Sequence, residues 1–147
     1  MSEGFELLKS FLYDILEDKE DYGVLLYWLA CVYHRPYIQK PLIISGSFLI
    51  EDLIMEFLKL PDMTDNLILT CSVYSYKKQY KKFIGKTNIL VFEDNYKCIT
   101  TSIKKSNVLI IRTIPKLKHD IFDNIKSKCL NQSVANEFFE YSKIFLY

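Results

Sequence analysis

Apolar residues recur at helical spacing from the start of the chain. Phe5, Leu8, Phe11, Leu12, Ile15 and Leu16 fall on one face, which predicts an amphipathic helix over 3–18 that stops in the charged run EDKED. Beyond Gly23, the stretch VLLYWLACVYH (24–34) is apolar nearly all round, the mark of a helix buried on most sides, and Pro36 ends it. At 41–46 the pattern changes. PLIISG is a short continuous apolar run with turn residues behind it, as expected of a strand covered on both faces. Ser47 suits the cap of a following helix, whose buried stripe would be Leu49, Leu53, Ile54, Phe57 and Leu58, with Pro61 closing it. NLILTCSVY (66–74), NILVFED (88–94) and SNVLIIRTI (106–114) read as three more buried strands, and SYKKQYKKFIG (75–85) as a short basic helix between the first two of them. After Pro115 come helices near 117–130 and 132–145.

Strands that alternate with helices and lack polar relief at every second position imply a largely parallel sheet covered on both sides. The expected fold is a three-layer α/β sandwich with a mostly parallel sheet of four or five strands, preceded by an N-terminal helical pair. It would form one domain over 1–147, with a helical lead-in at 1–37, a core at 38–130 and a C-terminal helix at 131–147. The link at 95–105 is short for a full crossover helix, which leaves open an antiparallel pairing of the third and fourth strands or a connection by one helical turn.

Composition narrows the setting. Half of the 147 residues are apolar, enough for a core that needs no staples. Cys31, Cys71, Cys98 and Cys129 lie far apart with no C-x-x-C pair, which suits buried thiols in a reducing compartment rather than a disulfide framework or a metal site. His34 and His119 stand at no ligand spacing from a cysteine, so no metal or other cofactor is expected. Acidic residues punctuate the N-terminus and no apolar run approaches membrane-spanning length, so an intracellular protein, cytoplasmic or nuclear and not secreted, is expected. Basic residues are almost all lysine and Ile, Asn, Tyr and Phe are plentiful, a bias that fits an AT-rich coding genome such as that of a large DNA virus, a low-GC bacterium or a protist. Charge is divided: 1–65 carry 12 acids against 5 bases, and 66–147 carry 6 acids against 14 bases. Such polarity suits a polar partner, head-to-tail assembly of copies, or internal neutralisation.

The order of elements resembles the core of P-loop ATPases: a buried strand ending in Gly46 opens a helix, and a later strand ends in Glu93 and Asp94. Within that group it is most similar to clamp-loader subunits and to viral replication helicases of superfamily 3. The helical pair running into KPLIISG resembles the helicase lead-in, and RTIPKLKHDIFDNIKSKCL, through Ser127, Lys128 and Cys129, resembles the clamp-loader segment that ends in Ser-Arg-Cys. The resemblance spans about residues 24–130 and implies a vestigial nucleotide site at Gly46, Ser47, Glu93 and Asp94. An active P-loop carries G-x-x-x-x-G-K-S/T, because bare amides and a lysine must surround the phosphates while a hydroxyl holds magnesium. Here Glu51, Asp52 and Leu53 stand in those places, and two carboxylates repel a polyanion. The strand that would end in a polar sensor ends in Arg112 and Thr113.

The clearest positive feature is YSYKKQYKKFIGK (74–86). Lys77, Lys78, Lys81, Lys82 and Lys86 interleave with Tyr74, Tyr76, Tyr80 and Phe83, the mixture used where amines meet phosphates and rings stack on unpaired bases. On a helix the lysines share one side and Tyr76, Tyr80 and Phe83 another, which also fits a solvated face over a core face. Lys104, Lys105, Lys116 and Lys118 would extend the patch if the sheet brings them near.

These readings converge on a noncatalytic scaffold or binding module of degenerate ATPase type, plausible in DNA replication. Its basic second half would take single-stranded DNA or an acidic protein partner, with Tyr27, Trp28 and the aromatic tail FFEYSKIFLY available for the core or for homo-oligomer contacts. The alternatives are a viral or accessory protein-interaction factor of merely similar architecture, and a nucleotide hydrolase with an unconventional phosphate grip that uses Glu93 and Asp94 for metal.

Overall fold

The structure, a computed structural model, describes residues 2–34, 40–46, 48–60, 67–70, 72–79, 88–93, 96–97, 99, 108–114 and 118–146. Helix α1 (Glu3–Asp14) begins where the Ser2 hydroxyl accepts a hydrogen bond from the Phe5 amide. It ends four residues earlier than its apolar spacing predicts, and Lys19 supplies the reason. The Lys19 ammonium donates to the carbonyls of Tyr13, Asp14 and Leu16, at 2.9, 3.4 and 3.1 Å, and so satisfies acceptors that a helix end leaves open. Ile15 caps the helix end with αR backbone, and Leu16 leaves the helix for an isolated bridge to Thr113; both stay buried.

Helix α2 (Asp21–His34) is buried along most of its length, with Trp28 fully enclosed and Tyr27 more than a third exposed. Strand β1 (Leu42–Ser45), helix α3 (Phe48–Lys59), strand β2 (Leu67–Thr70), helix α4 (Val73–Gln79), strand β3 (Asn88–Phe92) and strand β4 (Leu109–Arg112) follow. Helices α5 (His119–Cys129) and α6 (Gln132–Ser142) and a final 3-10 turn (Lys143–Leu146) close the chain. The expected strand over 66–74 therefore stops at Thr70. Ser72 turns the chain instead, because its hydroxyl accepts from the Ser75 amide at 3.0 Å and caps α4.

The strand order is β2-β3-β1-β4 and every pairing is parallel. An antiparallel β3–β4 pair is thus overturned: β1 lies between them, and the link from β3 to β4 crosses over it. Register puts Leu42 beside Leu90 and Leu109, and Ile44 beside Phe92 and Ile111. These rows face the larger core, built with α1, α2, α3, α5 and α6. The intervening row, Ile43 beside Val91 and Ile110, faces a smaller core with Val73 and Tyr76 of α4 and with Ile99. Both faces are covered, which is why the strands read as unbroken apolar runs.

Two close approaches pin the helical layer. A Cβ on Gly4 would lie 2.8 Å from the Lys128 carbonyl oxygen and 2.9 Å from Val134, so α1 meets the α5–α6 junction where only glycine fits. Beside it the Cys129 thiol donates to the Gly4 carbonyl at 3.3 Å, and burial pushes that thiol's pKa up while Lys128 opposes the shift. Cys31 is also buried, and neither thiol is in a disulfide; Cys71 and Cys98 lie outside the described residues.

Candidate functional site

In open parallel sheets, ligands favour the crevice at the carboxyl ends of two strands that hand the chain to opposite faces. Here β1 leads to α3 on the larger core, whereas its neighbour β3 leads to Tyr96 and Ile99 on the smaller one. Gly46 and Glu93 therefore follow directly on two neighbouring strand ends at the switch point. Ser47 and Asp94, the other two members of that expected set, lie outside the described residues.

The crevice is closed from the β4 side. Ser45 gives its carbonyl to the Thr113 amide at 2.8 Å and to the Thr113 hydroxyl at 3.1 Å, so Thr113 sits buried across the end of β1. Gly46 has φ +141°, and a Cβ there would lie 1.8 Å from Thr113 Oγ1. Glycine serves here to admit a threonine.

Glu93 is equally engaged. It is 8 % exposed, its amide donates to the Ile44 carbonyl at 3.0 Å, and its Oε1 accepts from the Val73 amide at 3.2 Å. That amide opens α4, so the carboxylate serves a helix terminus that would otherwise hold an unpaired donor. Across the turn, burial and then the neighbouring Asp52 raise the pKa of Glu51, in the first turn of α3.

Of the basic stretch, Lys77 and Lys78 are exposed on α4 while Tyr76 points into the smaller core. Tyr74 is 66 % exposed, with the Lys78 ammonium 4.6 Å above its ring. An outward ring beside ammonium groups is the element a stacked base would use. Tyr80, Lys81, Lys82 and Lys86 lie outside the described residues, as do Lys104, Lys105 and Lys116. Lys118 is exposed just before α5, a helix of the other face.

A second feature went unread in the sequence. A cleft of about 500 Å³ opens beside edge strand β4, walled by Val24, Tyr96 and residues 108–110, with Glu17, Asp18 and Asp21 at its rim. Arg112 organises it. Its Nε lies 2.8 Å from Glu17 Oε2, its guanidinium stacks 4.4 Å from the Tyr96 ring centroid, and its amide donates to Asp21 Oδ2 at 3.3 Å. Burial raises the Asp21 pKa; the Arg112 amide opposes the shift, and Asp18 and Glu20 add to it. The one available signal was an arginine in a chain whose other bases are nearly all lysine, since a planar guanidinium can stack and pair at once.

His34 ends α2 with its Nε2 3.4 Å from the Phe139 carbonyl oxygen, the helix-end position its sequence context suggests. Among the described residues, no cluster of three or more His, Cys, Asp or Glu side chains is arranged to hold a metal ion, and no helix is long and apolar enough to cross a membrane. No protein-family model matches the chain, and a search of the curated proteins finds no relative.

Proposed function

We propose that the protein is a noncatalytic binding module of degenerate ATPase type, which holds single-stranded DNA or an acidic partner through the lysine-rich stretch that begins on α4. The observation that carries the noncatalytic part is Thr113 seated against Gly46, with its amide and hydroxyl both on the Ser45 carbonyl. A triphosphate needs free space and free amides at that turn. Glu93, the described acid of the pair expected to hold magnesium, already accepts from the Val73 amide.

ATP and magnesium should leave the melting temperature where it was. A nucleotide at 100 times its Kd would raise it by roughly 5–10 °C in a domain of this size, so a shift of that order sinks the noncatalytic reading.

The binding part has its own measurement. Retention of single-stranded DNA should fall steeply with salt, because each phosphate contact releases counterions, with a log–log slope of about 0.7 per contact. Replacing Lys77, Lys78, Lys81 and Lys82 together by Glu should abolish retention and flatten that slope. Retention equal to the parent protein's would move the binding surface elsewhere.

A further inference from the structure

The geometry points to the outer edge of β4 as a docking site for an extended, basic segment of a partner protein, which would add to the sheet as one more short strand.

Backbone alternation supplies the first support. Leu109 and Thr113 donate to Pro41 and Ser45 on the β1 side, both at 2.8 Å. The alternate residues face the other way: Arg112 donates to Asp21 and accepts from the Glu17 amide at 3.0 Å, and Ile114 donates to the Ile15 carbonyl at 2.7 Å. With Leu16 bridged antiparallel to Thr113, the link between α1 and α2 already acts as a strand along the last part of this edge. By the same alternation the amide and carbonyl of Ile110 point outward, and no hydrogen bond to them occurs among the described residues. Unpaired groups on an edge strand are the template that strand addition uses.

Space and charge select the occupant. The cleft of about 500 Å³ opens along this stretch, where Ile110 forms part of its wall. Three carboxylates rim it, and the single guanidinium there is already paired with Glu17. The balance favours ammonium or guanidinium side chains. Val24 and Val108 add apolar wall, so alternate side chains of a strand would meet charge and hydrocarbon in turn. This edge is the opposite one from β2, and α4 packs on the β2–β3 side, so the site and the lysine stretch can be tested separately.

The probe is the blocked peptide Ac-Lys-Val-Lys-Val-Lys-NH2, titrated into the labelled protein and followed by amide chemical shifts and hydrogen exchange. Shifts should centre on Ile110 and Arg112, and exchange of the Ile110 amide should slow by about tenfold at saturation. The glutamate counterpart and a backbone N-methylated lysine peptide should produce neither effect. Asp18→Asn should weaken the lysine peptide by about threefold at low salt. Shifts centred elsewhere, or equal binding of the N-methylated peptide, would overturn strand addition. Equal binding of the glutamate peptide would overturn the basic occupant.

Discussion

Gly46→Ala is expected to remove about 2–6 kcal/mol of stability, enough to unfold much of a domain whose total is about 5–15 kcal/mol. Two costs combine. At φ +141° an L side chain is strained whatever surrounds it, which costs about 1–3 kcal/mol. The new methyl would also stand 1.8 Å from Thr113 Oγ1, 3.0 Å from its Cβ and 3.1 Å from its carbonyl oxygen, so β4 must retreat from β1 or Thr113 must turn out. Thr113→Ala alone should cost about 1 kcal/mol through loss of the hydroxyl bond to Ser45. In the double variant the worst overlap disappears while the backbone strain persists. Urea unfolding of all four forms should therefore give a favourable coupling of about 1 kcal/mol or more. Strict additivity would mean that Thr113 does not fill the turn.

That pair also marks the limit of what the sequence discloses. Gly46 and Glu93 were legible as strand ends, because each closes an apolar run buried on both faces. Their partners were not. Thr113 lies 68 residues from the carbonyl it caps, and Val73 lies 20 from the carboxylate that receives its amide. Local pattern carries no information about which strand end lies beside which. The same applies to β3 and β4, where a short link suggested neighbours and β1 stands between them.

Boundaries failed for a related reason. Leu16 continues the helical spacing of α1 but is buried in an antiparallel bridge to Thr113, with Ile15 as the cap between, since apolar residues serve either geometry. Val73 and Tyr74 have strand-like side chains, and the hydroxyl of Ser72 overrides that preference by opening α4. The β4 cleft was the least legible feature. Its acids come from the link between α1 and α2 and from the first residue of α2, its ring from beyond β3, and its arginine from β4, so only the folded chain assembles them. The charge division of the chain hinted at an acidic surface without saying where it would gather.

Phe139→Ala should be the other severe substitution, at about 3–5 kcal/mol, which corresponds to a fall in Tm of roughly 6–20 °C. The aromatic tail suits either a core or a subunit contact, and the geometry places Phe138 and Phe139 wholly within the chain's own core. The Phe139 ring stacks on Tyr33 of α2 with centroids 4.7 Å apart, and on Phe57 of α3 at 5.2 Å. Phe138 meets the same Phe57 edge-on at 5.2 Å. One side chain thus ties α6 to the two helices that flank β1, and its removal opens a cavity walled by rigid rings that relax poorly. Ile144, in the closing turn and 62 % exposed, supplies the control: Ile144→Ala should change stability by no more than about 0.5 kcal/mol. Sedimentation decides between the two roles of the tail. If Phe139→Ala kept the parent Tm but lowered the solution mass, the tail would be joining subunits; the packing of Phe57, Tyr33 and Phe139 requires the Tm to fall with the mass unchanged.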